Sequence, residues 1–109
     1  MRMWMTPPNK MCRQHLLGEH KELHMFVGCI RLGRNLEGYI RKKLLILDEK
    51  AIRDRHAALV AEMTVRGYNH QSPLKDFHIE NPRGEVDLDF NIADLTGRCP
   101  RCRERMRAA

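Results

Sequence analysis

His15, Glu19, His20, Glu22 and His24 crowd a single ten-residue stretch of this 109-residue chain. On a helix, His15 and Glu19 are i,i+4 neighbours and Glu19 and Glu22 are i,i+3, so these three share one face, while His20 and His24 pair on another. That first face adjoins an apolar stripe, where a carboxylate bears a desolvation cost unless it is paired or used. Two readings stay open for it: acid–base or charge-stabilising chemistry, and a structural ion pair with Arg2, Arg13 or Arg55. His20 and His24 could offer two ligands to a metal, but two do not fix a divalent ion, and His20-Lys21-Glu22-Leu23-His24 lacks the H-E-x-x-H spacing of zincins. Solvent-exposed histidines are the expectation. Cys99-Pro100-Arg101-Cys102 is a single C-x-x-C with no second pair; a distant His or another chain would have to complete a zinc site, and reduced, exposed thiols are expected first. Cys12 and Cys29 fall in helical patterns, where a free Cys behaves as a small buried apolar residue. No metal ligand is assigned.

These residues need elements to position them. Leu16, Leu23, Phe26, Val27 and Ile30 recur at helical spacing, which predicts a first helix from about Met11 to Leu32 with Gly33 as its C-cap. Asp48 is a candidate N-cap for a second helix running to Arg66, with Ile52, His56, Leu59, Val60 and Met63 as its stripe and Gly67 at its end. Residues 1–10 are not helical by pattern, because Pro7-Pro8 favours extended backbone. Residues 33–43 read as a basic loop, and 68–74 as a polar segment with a Ser72-Pro73 stop. Val86, Leu88, Phe90 and Ile92 alternate with polar residues, which predicts an extended segment packed on the helices, since a lone strand has no partner. A short third helix is expected from about Pro100 to Met106.

Hydrophobic residues make up 42% and charged residues 31%, the composition of a small globular chain. No apolar run approaches the roughly 20 residues of a membrane span, and no signal-peptide pattern opens the chain, so a cytoplasmic protein (nuclear if eukaryotic) without membrane association is expected. The net charge of +6 is unevenly placed. Residues 1–75 carry 14 Lys/Arg against 7 Asp/Glu, a balance of +7; residues 76–94 carry one Arg against six acids, or −5; residues 95–109 carry five Arg against one Glu, or +4. A basic body attracts a polyanion, and nucleic acid fits by counterion release, although a merely solvated basic surface gives the same count.

Residue identity adds a resemblance. Met1-Arg2, followed by Cys12-Arg13-Gln14-His15-Leu16-Leu17-Gly18-Glu19-His20-Lys21-Glu22-Leu23, resembles the opening of the pyrimidine-dimer DNA glycosylases. Arg55-His56-Ala57-Ala58-Leu59-Val60-Ala61-Glu62-Met63 through Arg66-Gly67-Tyr68-Asn69 resembles that family's second long helix and its ending. The likeness covers about residues 1–27 and 49–74 and leaves 75–109 uncovered. It implies that the α-amino group of Met1 is the nucleophile, attacking the sugar C1′ to form an imine. Arg2 is bulky enough to leave Met1 unprocessed, and an α-amine titrates near 7.7–8.0, so a neutral fraction exists at physiological pH. The resemblance makes Glu22 the catalytic carboxylate, stabilising positive charge at C1′ and shuttling protons. It places Arg2 on the lesion's phosphates, Gln14 and His15 near the abasic sugar, and Lys21 where the family has a phosphate-contacting arginine. Met25 stands where the family has another arginine, and the family's aromatic basic C-terminal segment has no counterpart. Trp4, Tyr39 and Tyr68 are the candidates to stack on bases.

The expected fold is therefore all-α: one small domain over 1–109, with two long antiparallel helices, a short C-terminal helix and irregular segments, the N-terminal segment wedged so that Met1 reaches Glu22. The expected function is a DNA repair glycosylase and abasic-site lyase acting on UV-induced pyrimidine dimers, with no cofactor. Its partner would be double-stranded DNA carrying a damaged or abasic site, bound by a monomer, with Arg34, Arg41, Lys42, Lys43 and the Arg-rich tail adding phosphate contacts. Two rival classes remain: a non-catalytic nucleic-acid-binding module on the same scaffold, and a zinc-dependent interaction protein built on Cys99 and Cys102. The sequence leaves the role of the acidic strip from Asp76 to Asp94 open, a DNA-mimicking autoinhibitory segment being one guess.

Overall fold

A computed structural model describes residues 1–69 and 72–108. After a 3-10 turn over Pro8–Lys10 come α1 (Arg13–Arg31), α2 (Glu37–Arg41), α3 (Glu49–Val65), α4 (Leu88–Arg98) and α5 (Pro100–Arg107). No strand occurs among the described residues; an isolated antiparallel bridge joins Leu47 and Arg83. None of the described helices is long and apolar enough to cross a membrane. The all-α expectation holds. So do the two long helices, with Asp48 capping α3 through the Ala51 amide at 3.0 Å and Gly33 and Gly67 following α1 and α3 in left-handed conformation.

α1 and α3 pack antiparallel. At one end Arg66, just beyond α3, donates to the Met11 carbonyl just before α1; midway, Arg55 meets Glu19. Leu16, Leu23, Phe26 and Val27 from α1 and Ile52, Leu59 and Met63 from α3 are buried between them, as the helical spacing predicts. The Arg55 guanidinium lies in this interface. Its Nε and Nη2 donate to the two Glu19 oxygens at 2.7 and 2.8 Å, and Nη1 donates to the Thr6 carbonyl at 2.8 Å. Side-chain exposure is 5% and 0%, so both charges are out of water and each depends on the other. The structural reading of Glu19 is the observed one, with Arg55 as partner.

Three sequence expectations are corrected. Residues 88–92 are not extended: Asp87 accepts from the Phe90 amide at 3.0 Å and starts α4, which buries Asn91 and Leu95 one turn apart. The alternating Leu88 and Phe90 are 43% and 61% exposed, so the period-two pattern never marked a buried face. The basic loop contains the five-residue α2, and the Pro7-Pro8 region closes into the 3-10 turn, with Pro8 at a position where its missing N–H is no loss. His70 and Gln71, within the polar segment expected at 68–74, lie outside the described residues.

The stretch between α3 and α4 crosses the body through paired hydrogen bonds between Leu47 and Arg83, 2.7 and 2.9 Å long. The next residue, Gly84, has φ 97°, and a Cβ there would stand 2.5 Å from the Leu45 carbonyl oxygen, so this crossing requires glycine. α5 closes the structure against the 3-10 turn: Lys10 donates to the Ala108 carbonyl, and Arg105 to that of Asn9.

Arg55→Ala leaves the Glu19 carboxylate buried without its cation. Urea denaturation should show a loss of about 3–5 kcal/mol, whereas Lys50→Ala, at the exposed pair with Asp54, should leave the midpoint unchanged.

Candidate active site

The chain start is held against α1. The backbone N–H of Arg2 donates to Glu22 Oε2 at 3.2 Å, so the Glu22 carboxylate sits one residue from the α-amino group. Glu22 lies one helical turn beyond Glu19 on the same face, and the Glu19–Arg55 pair sets where that face points. Met3 donates its amide to the Leu44 carbonyl at 2.7 Å, and Met5 turns the backbone at φ 59° between the buried Trp4 and Thr6.

The Arg2 side chain is gripped by α4. It donates to Asn91 Oδ1 at 2.5 Å and to Asp94 Oδ2 at 2.9 Å, and its guanidinium lies 3.7 Å from the Trp4 ring centroid. The buried Asn91 completes the clasp by donating to the Met3 and Trp4 carbonyls. Trp4 in turn meets the His15 ring edge-on, with centroids 5.9 Å apart. Burial holds the His15 imidazole below its ordinary pKa; the Arg98 charge adds to this and Glu22 opposes it. The neutral imidazole is therefore favoured. Partial burial works to raise the Asp94 carboxyl, but the Arg98 and Arg2 guanidiniums outweigh it and hold the group below its ordinary range.

With that geometry in view, comparison with known proteins identifies the chain. The family model for pyrimidine dimer DNA glycosylases matches residues 1–76. The chain belongs to this family of DNA repair enzymes. No curated protein and no solved structure matches it. The family match stops before α4, so the helix that holds Arg2 lies outside it.

The other expected site residues divide by place. Gln14 and Lys21 are exposed and share a stripe of α1 with Met25, beside Glu22. Arg41, Lys42 and Lys43 are exposed and lead directly into Leu44, the residue that anchors Met3. Arg34 stands apart, on a groove of about 650 Å³ that it lines with Ile30, Leu36 and Arg83. Of the stacking candidates, Trp4 is buried under Arg2, Tyr39 packs edge-on against Phe26, and Tyr68 lies under Arg13. Phe90 is the exposed aromatic ring among the described residues, one turn before Asp94 on α4. Sequence reasoning missed Asn91 and Asp94 as neighbours of the chain start. The helical spacing of Asn91 and Leu95 was the available signal, and the stronger-looking alternation masked it.

Two ligand-bearing clusters also depart from expectation. His20 is 8% exposed rather than solvated: it packs with His24 and His56, and its Nε2 lies 3.2 Å from that of His56. Cys99 and Cys102 are likewise buried, at 8% and 0%, because α5 folds back onto the start of α1. Cys12 is not inside α1 but is its N-cap residue. Cys12, His15, Cys99 and Cys102 present their donor atoms within 4.8 Å of one another.

The Asp94 shift has a definite sign. Its folded pKa lies below the ordinary 3.8, so its stabilisation is full above that value and lost as pH falls through the lower folded one. The difference in thermal midpoint between wild type and Asp94→Asn should be constant through the neutral range and close in acid below pH 3.8, as read by circular dichroism melts.

Proposed function

We propose that the protein is a glycosylase with abasic-site lyase activity on UV-induced pyrimidine dimers in double-stranded DNA, with the Met1 α-amine as nucleophile and Glu22 as the catalytic carboxylate. The Arg2 amide hydrogen bond to Glu22 carries this reading. It sets a carboxylate one residue from the chain's α-amine. The amine attacks C1′ as the glycosidic bond breaks and the base departs. Opening of the sugar ring leaves an imine between the amine nitrogen and C1′. Loss of a C2′ proton then expels the 3′ phosphate by β-elimination. Glu22 stabilises the positive charge at C1′ and moves the protons these steps require.

DNA has to be kinked and a nucleotide turned outward for C1′ to be reached, at a cost of a few kcal/mol. Lys21 on α1 and Arg41, Lys42 and Lys43 beside the N-terminal segment supply phosphate contacts that offset it, while Gln14 lies near the abasic sugar. Arg2 contributes differently from the phosphate contact that resemblance implies: held by Asn91, Asp94 and Trp4, it fixes the backbone that presents the amine. Phe90, exposed on α4 four residues before Asp94, is the aromatic ring free of packing among the described residues and available to stack on an unpaired base. Gly18 lies between His15 and Glu22 on the same face, and a Cβ there would meet nothing within 4 Å, so the duplex can approach the helix backbone.

Borohydride reduction in the presence of an abasic-site duplex should trap a covalent adduct that maps to Met1. Glu22→Gln should lower turnover by about 10²–10⁴-fold while the fold persists. No adduct from protein with a free Met1 amine, together with salt-sensitive binding indifferent to Glu22→Gln, would instead establish the non-catalytic module. Gly18→Leu should preserve or raise the thermal midpoint, since a helix-interior glycine costs up to about 1 kcal/mol, yet weaken binding to the abasic duplex by its bulk.

A further inference from the structure

We infer that Cys12, His15, Cys99 and Cys102 form a structural zinc site that fastens the C-terminal helices to the start of α1. Cys12 Sγ lies 3.3 Å from His15 Nδ1 and 3.9 Å from Cys99 Sγ, and Cys102 Sγ lies 3.7 Å from His15 Nδ1. Zn–S bonds of about 2.3 Å and Zn–N bonds of about 2.0 Å span a tetrahedron with edges of roughly 3.5–3.8 Å. These three separations straddle that range, and all four donor atoms lie within 4.8 Å of one another, close enough for one ion to draw them together. A sulfur–sulfur distance of 3.9 Å is far beyond the roughly 2.05 Å of a disulfide.

The surroundings match those of a bound metal thiolate. The Cys12 amide donates to Cys102 Sγ at 3.2 Å, and the Cys102 amide to Cys99 Sγ at 3.4 Å. Such N–H···S contacts stabilise charge on sulfur. The ligand set is three Cys and one His, a closed structural type with no position left for water. Cys12-x-x-His15 comes from the α1 cap and Cys99-x-x-Cys102 from the junction of α4 and α5, so two local pairs separated by most of the chain meet at one point. Ligation through Nδ1 leaves Nε2 of His15 protonated and able to donate.

The site has a consequence beyond its own stability. Residues 95–107 lie outside the family match, yet α4 holds Arg2 and Arg98 beside the chain start. A metal that pins α5 to α1 therefore fixes the helix that orients the N-terminal segment. The inference does not depend on the reaction proposed above, because its readouts are metal content and spectra.

The test uses the full chain expressed without a tag and purified without chelator. Elemental analysis should find about one zinc per chain. Cobalt(II) exchanged into the protein should give the visible bands of a tetrahedral site and a thiolate charge-transfer band. Cys99→Ser and Cys102→Ser should each bind less than half as much zinc, while Cys29→Ser, outside the cluster, should keep it all. Should the cysteine variants fail to fold, the wild-type protein still decides: chelation should lower its thermal midpoint and added zinc should restore it. Four titratable thiols, no retained zinc after incubation with zinc under reducing conditions, and no cobalt bands would overturn the site. So would a disulfide among Cys12, Cys99 and Cys102, or iron in place of zinc.

Discussion

A carboxylate and a guanidinium sealed from solvent set the geometry on which the rest of this small protein depends. Glu19 and Arg55 face each other across the two long helices in a two-bond fork, and the third arm of the same guanidinium reaches back to the Thr6 carbonyl. A core of this size gains little from the pair itself, because desolvation of both ions consumes most of their attraction. What the pair does is exclude alternatives. Sliding one helix past the other, or lifting the N-terminal segment, would leave a charge buried without a partner. The register of α1 against α3 and the path of the first residues are thus decided together.

The second acidic residue of that face has the opposite fate. Glu22, one turn on, meets no guanidinium among the contacts described; its partner is the Arg2 amide. The side chain of Arg2, the cation nearest in sequence, is drawn instead to α4 by Asn91 and Asp94. Of two carboxylates one turn apart, one is held by a buried guanidinium and the other by a backbone amide. Asp94, part of the acidic strip whose role the sequence left open, pairs with the Arg2 guanidinium at 2.9 Å.

Much of this was legible in the sequence because its causes are local. The 3.6-residue spacing of Leu16, Leu23, Phe26 and Val27, the Asp48 cap, and the shared face of Glu19 and Glu22 each follow from a few neighbouring residues. The same local logic limited Glu19 to a short set of cations that included Arg55. Where the cause was long-range, the reading failed. Nothing near Asp87 announces that α4 will bury Asn91 against the Met3 and Trp4 carbonyls, and the regular alternation of Val86, Leu88, Phe90 and Ile92 pointed to an extended chain. Exposure of His20 and Cys102 was misjudged for the same reason: His56 and Cys12 bury them from 36 and 90 residues away. The uncovered C-terminal third proved to include the helix that holds the Arg2 side chain.

Fixing the Arg2 amide on Glu22 also bears on entropy. A group one residue from an immobile point can wander only about 4 Å, the Cα–Cα step of a trans peptide. Confinement to a sphere of that radius corresponds to a local concentration of roughly 6 M for the α-amine at the carboxylate. An amine on a long flexible side chain would lose several rotamers at each encounter; here the ordering is completed once, when the protein folds. The same short tether means that a single added residue at the chain start would roughly double the reach and dilute the amine at the carboxylate about eightfold while leaving every helix in place.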